Sequence, residues 1–140
     1  MFIKNRKRIQ AAMHADYGNH PELSTDITEI PTVFGRIEYV TQNLKQWMKP
    51  DKRSLMPILG NSKASVLYQP KGVVGIMSPW NFPIQLAVGP LVDALAAGNR
   101  AILKPSEVTP HCAQLLAEMI ADTFDEAVVT TAIGGVSLAE

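Results

Sequence analysis

The strongest constraint on the fold is a pattern that occurs twice. Val73-Val74-Gly75-Ile76-Met77 and Ala101-Ile102-Leu103 are short, nearly continuous apolar runs. The first runs into Ser78-Pro79-Trp80-Asn81-Phe82-Pro83 and the second into Lys104-Pro105-Ser106-Glu107, and each turn gives way to helical spacing. Such runs suit strands covered on both faces of a parallel sheet. Ile84 to Ala97 is apolar enough for a largely buried helix, with Gly98-Asn99 as its stop. Pro90 is expected to remove a hydrogen bond from it and bend it. Thr109-Pro110 supplies an N-cap and a first-turn proline for the next helix, whose buried face is Leu115, Leu116, Met119 and Ile120. Ala127 to Ile133 reads as a third strand, ending in Gly134-Gly135. Strand–helix–strand–helix–strand with short joins predicts right-handed crossovers and a parallel sheet. That is one half of a doubly wound, Rossmann-like nucleotide-binding fold.

Upstream the period is helical. Ile9, Met13 and Tyr17 share one spacing, and Gly18-Asn19 is a stop. Leu23, Ile27, Ile30, Phe34, Ile37, Leu44, Trp47 and Met48 continue it, with Pro31 expected to kink or divide the helix. This third of the chain is helical, with an apolar face that needs a partner. Pro50 to Ser62 is polar and turn-rich, a connector, and Ala64 to Tyr68 reads as a short strand. The α/β chain therefore divides into residues 1–62, an N-terminal helical segment with its connector, and 63–140, a partial dinucleotide-binding domain.

Charge and composition exclude several classes. Thirteen basic and thirteen acidic residues cancel, so nothing points to nucleic acid or an anionic membrane. The longest apolar-rich stretch, Gly72 to Ala97, is broken by Pro79, Asn81, Pro83, Gln85, Pro90 and Asp93, and is no membrane span. The basic residues Lys4, Arg6, Lys7 and Arg8 have no apolar core beside them, which makes them a solvated helix face and not a secretory signal. The lone Cys112 excludes an internal disulfide and fits a reducing, cytoplasmic location.

The two turns carry the candidate chemistry. Strand-to-helix turns at the carboxyl edge of an open α/β sheet are where such folds bind ligands. Asn81, stiffened by Pro79 and Pro83, can donate its amide to an oxygen gaining negative charge, or it can bond its own turn. Lys104 and Glu107 can place a cation and a diol-binding carboxylate in the crevice, or form a surface ion pair. The three spaced glycines of common dinucleotide folds are absent, as is a P-loop. Gly134-Gly135 serves a turn, or the close approach of an adenine. Cys112 follows His111 near a helix start, but helical neighbours point about 100° apart, so His111 is poorly placed as its base. A buried structural cysteine is the better reading. His14 and His20 make no metal-ligand spacing.

With PWNFP at 79–83, AAGN at 96–99 and KPSE at 104–107, the stretch Gly72 to Glu107 resembles the NAD(P)-dependent aldehyde dehydrogenases. It is most similar to the branch that oxidises aromatic and long-chain aldehydes, including coniferyl-aldehyde dehydrogenases. The resemblance extends through Ala15-Asp16-Tyr17-Gly18 and Ile37 to Trp47 upstream, and to Gly134-Gly135 downstream. It implies that Asn81 helps hold the thiohemiacetal oxyanion. Lys104 and Glu107 then bind the adenosine ribose of NAD or NADP, and Ser78 and Trp80 line the cofactor channel. Ala64 to Lys71 corresponds to the strand entering the family's oligomerisation arm, which implies a homo-oligomer. The family's catalytic cysteine and general-base glutamate have no match here, so the chain is expected to be an N-terminal fragment, inactive by itself, of an enzyme whose substrate is an aldehyde. The alternatives are a non-catalytic nucleotide-binding or subunit-association module and a folding-incompetent remnant.

Overall fold

The computed structural model describes residues 1–138, so the last two positions of the 63–140 division lie outside the described residues. Three helices open the chain: α1 (Phe2–Tyr17), α2 (Glu22–Thr28) and α3 (Ile30–Trp47). Gly18 ends α1 at φ 78°, a left-handed conformation that favours glycine, and its amide returns to the His14 carbonyl. Pro31 does divide the helical run. It sits in the first turn of α3, where its missing N–H costs nothing. The stretch read as a connector contains β1 (Asp51–Arg53), which pairs antiparallel with β2 (Ala64–Val66). This hairpin straddles position 62/63. The expected strand to Tyr68 is shorter, because only three residues of it find backbone partners.

The main sheet is parallel, in the order β3 (Val73–Met77), β4 (Arg100–Lys104) and β5 (Val129–Thr131). Its register pairs Val73 with Arg100, Met77 with Lys104, and Ala101 with Val129. The crossovers are α4 (Gln85–Ala96) and α5 (Pro110–Ala121). Two right-handed crossovers running the same way put both helices on one face. Within this chain the sheet is covered on one face. Ile76, Ala101, Leu103 and Val129 are buried towards the helices, while Val73 and Met77 are 60% and 74% exposed on the other side. α4 runs through Pro90 without a break, and Pro90 lies at the surface, where water can satisfy the carbonyl it leaves free. β5 is shorter at both ends than the predicted Ala127 to Ile133.

The N-terminal helices form an outer layer, with α1 packed on α5 and α3 on α4. One apolar core runs through all three layers, joining Ile9, Met13 and Val33 to Leu91, Leu116 and Met119 and then to Ile76 and Leu103. The predicted apolar face of α2 and α3 is only partly used. Val33 and Val40 are buried, but Leu23, Ile27 and Met48 are largely exposed. The basic face of α1 is solvated as expected, and its charges pair along the surface: Arg6 with Asp26, Lys7 with Glu22, and Arg8 with Glu118.

Two helix starts in the middle layer are capped from the outer one. Thr109 occupies the N-cap of α5, but its buried hydroxyl makes no capping bond, which corrects the expected self-contained cap. Asp16 of α1 does that work instead, accepting the His111 amide at 3.0 Å and the Cys112 amide at 2.8 Å. At α4 the acceptor is Glu29, fully buried at the α2–α3 junction, which takes the Gln85 amide at 2.7 Å. Such bonds satisfy N–H groups that no helix can satisfy internally.

Candidate functional site

The site begins where β3 and β4 end. One residue beyond the ladder, the Ser78 amide donates to the Lys104 carbonyl at 3.0 Å. That bond extends the parallel pairing into the turns and sets Ser78–Pro83 beside Lys104–Glu107 at the carboxyl edge of the sheet. Asn99 fixes the opposite edge. Its side-chain oxygen accepts the Lys71 and Gly72 amides at 2.6 and 3.0 Å, and its Nδ2 donates to the Ala94 carbonyl. Gly98, at φ 80°, turns the chain there.

The predicted residues fall around this edge. Ser78 is buried, and its hydroxyl has no hydrogen-bond partner among the described residues. An orphaned donor at a strand's carboxyl end is costly unless a ligand or water meets it. Trp80 and Asn81 are exposed in the following turn. Lys104 is held low, with its side chain 13% exposed, and its ammonium bonds Glu107 at 3.0 Å. Glu107 is open to solvent. A backbone amide hydrogen bond, then the bond and charge of Lys104, hold its carboxyl below the usual range, so it stands ionised as an acceptor. The structure shows the ion pair of the surface-pair reading, with its cation and carboxylate at the crevice edge. The buried Ser78 hydroxyl, the sunken lysine and the ionised carboxylate fit a nucleotide whose sugar carries a diol.

Cys112 is fully buried, with its Sγ 3.6 Å from the Met13 sulfur. Burial pushes its thiol well up, and the neighbouring carboxylates of Asp16 and Glu29 add to that. It is a structural cysteine, not a thiolate nucleophile. His111 has its own partner, Asp16, 2.7 Å from its Nδ1. Gly134-Gly135 leads into the short 3₁₀ segment Val136–Leu138, where a Cβ at Gly134 would meet Leu138 at 2.8 Å. Among the described residues no cluster of metal-ligating side chains occurs. Nor is any described helix long and apolar enough to cross a membrane.

Sequence reasoning missed one neighbour of the site. The Tyr17 hydroxyl donates to the Trp80 carbonyl, tying the end of α1 to the Asn81 turn. In the sequence Tyr17 stands out as a periodic apolar residue and as part of the Ala15–Gly18 resemblance, and no local pattern links positions 63 residues apart.

Comparison with known proteins places this architecture. The aldehyde dehydrogenase family pattern matches residues 1–140. The coniferyl aldehyde dehydrogenase of Pseudomonas sp. (strain HR199) is 45% identical over 134 residues, covering 96% of this chain and 27% of that protein. Among solved structures, substrate-bound Staphylococcus aureus AldH superposes with a TM-score of 0.92 at 33% identity, covering 99% of this chain and 30% of that one. The Mycobacterium tuberculosis aldehyde dehydrogenase complexed with NAD+ gives 0.80 at 27% identity, covering 99% and 28%. The chain spans 27–28% of the length of the first two curated relatives it matches.

Proposed function

Because the chain belongs to the aldehyde dehydrogenase family over its whole length, we propose that it forms part of the NAD(P)-binding region of an enzyme that oxidises aromatic or long-chain aldehydes to carboxylic acids. The observation that carries this reading is the Ser78–Lys104 backbone bond, which sets the donor-bearing turn beside the cation-bearing one. Relatives named coniferyl aldehyde dehydrogenases support the aromatic substrate.

In this reading Lys104 and Glu107 hold the adenosine ribose. Glu107 accepts from the diol, and Lys104 orients Glu107 and donates to the sugar. The orphaned Ser78 hydroxyl and the exposed Trp80 ring line the channel that receives the cofactor. When bound, the nicotinamide supplies the hydride acceptor. Asn81 donates its amide N–H to the substrate oxygen as that oxygen becomes an anion on attack by a thiolate. Cys112 is buried and its thiol is protonated, so the attacking thiolate and the general base belong to other segments of the complete enzyme. By itself the chain is inactive.

The exposed hairpin, with Met56 and Ile58 at its surface, supports a homo-oligomer. The buried, unpaired Cys112 supports a cytoplasmic location. The balanced charge supports a partner list without nucleic acid.

Asn81→Ala in the complete enzyme tests the reading. It is expected to lower kcat by about 10²–10³, the loss typical of one oxyanion donor, with the KM for NAD little changed. An unchanged kcat under rate-limiting chemistry would remove Asn81 from the mechanism. The competing reading, a non-catalytic nucleotide-binding or subunit-association module, requires binding without turnover in the complete protein.

A further inference from the structure

We infer that Tyr17 is a positioning residue for the Asn81 turn, acting through its hydrogen bond to the Trp80 carbonyl. The inference rests on the proposed oxyanion role of Asn81 for its catalytic half only. The bonded carbonyl belongs to the Trp80–Asn81 peptide, so the bond fixes the plane of the peptide that delivers Asn81. Pro79 and Pro83 restrict their own φ angles but not the rotation of this peptide between them. Trp80 and Phe82 are exposed, so packing holds the turn weakly, and a polar tether from outside supplies what it lacks.

The tether is itself well anchored. Tyr17 is the last residue of α1, stopped by Gly18 immediately after it. Its ring lies 5.6 Å from that of His20. One residue earlier, Asp16 is clamped to the α5 amides, so the helix end that carries the hydroxyl cannot drift relative to the sheet layer. Burial, with the carboxylates of Glu29 and Asp16 nearby, pushes the phenol up to about 12. It therefore keeps its proton, and remains a donor, throughout the working range of a neutral enzyme.

Oxyanion donors work by being in place before charge develops, and a misplacement of about 1 Å can cost 10²-fold in rate. Tyr17→Phe keeps the ring and removes only the donor. In the complete enzyme it is expected to lower kcat about 10-fold, within that limit, and to leave the KM for NAD unchanged. It should also speed amide hydrogen exchange in the peptide spanning residues 79–84. In an Asn81→Ala background the same substitution is expected to leave kcat where it was, because the group it positions has gone.

Unchanged exchange in Tyr17→Phe would overturn the positioning itself, whatever Asn81 does. Faster exchange with an undiminished kcat, while Asn81→Ala is impaired, would overturn its catalytic consequence. An equal loss from Tyr17→Phe in both backgrounds would do the same, because a general loss of stability adds. An unimpaired Asn81→Ala would instead overturn the oxyanion reading, leaving the tether as a structural bond read by exchange alone.

Discussion

Asp16 and Cys112 lie 96 positions apart, yet the carboxylate of one accepts the backbone amide of the other at 2.8 Å. The end of α1 is thereby the cap of α5. Burial alone would raise the Asp16 carboxyl, but the Cys112 and His111 amides outweigh it and hold its pKa below the usual value. A depressed carboxyl contributes stability above its unfolded pKa and loses it as pH falls through the folded one. Asp16→Asn is expected to cost about 0.5–2 kcal/mol at neutral pH, the usual range for a lost cap, and to flatten the loss of stability below about pH 4. Urea titrations at several acid pH values check both effects.

Glu29 has the opposite sign. Burial raises its carboxyl, against the pull of the Gln85 and Ile84 amides. Its contribution is full below the unfolded pKa and is lost as pH rises through the raised folded value. Glu29→Gln keeps an acceptor for Gln85 and removes the titration. The substituted chain is expected to lose less stability than the original between acid and neutral pH. Equal slopes in the two urea series would show that Glu29 titrates alike in the folded and unfolded states.

In the proposed function, cofactor choice turns on Glu107. An ionised carboxylate beside the ribose repels a 2′-phosphate, so the complete enzyme is expected to prefer NAD. Glu107→Gln should raise the ratio of NADP to NAD efficiency several-fold, read as kcat/KM for each cofactor. An unaltered ratio would mean that the carboxylate turns away from the sugar.

Isolated as 140 residues, the chain is expected to associate, because Val73, Met77 and Ile102 leave one sheet face open and apolar. Light scattering checks this, and a stable monomer would contradict it. The same sample is expected to form no NADH with aromatic aldehydes. Cys112 should label with a thiol reagent only as the protein unfolds. Rapid labelling of the folded chain, or turnover abolished by Cys112→Ser, would refute the structural role of this thiol.

What could be read from the sequence was local. The β3 and β4 runs, their proline turns and the glycine stops at Gly18 and Gly98 are written in neighbouring residues, and the structure has them there. β1 was invisible because Asp51-Lys52-Arg53 pairs through its backbone with no buried face, leaving no alternation to detect. The continuous apolar run of β3 fits a strand covered on both faces, but it does not say which face this chain itself covers. Leu23 and Ile27 obey the helical period but meet solvent. The Asp16 and Glu29 caps, like the Tyr17 tether, depend on three-layer packing that brings distant positions together. No window of sequence contains both partners. At the site, the types of Ser78, Asn81, Lys104 and Glu107 were legible, whereas the bond that sets the two turns side by side was not.

Chain order gives the capping carboxylates a meaning in time. Each acceptor is synthesised before the helix it serves, Glu29 56 positions ahead of Gln85 and Asp16 96 ahead of Cys112. At about 5–20 residues per second, the interval is roughly 3 to 20 s. The first turns of α4 and α5 therefore leave the ribosome into a space where their acceptors already exist. A rearranged gene that places residues 1–48 last would reverse that schedule, leaving both helix starts without their carboxylates until translation is nearly complete.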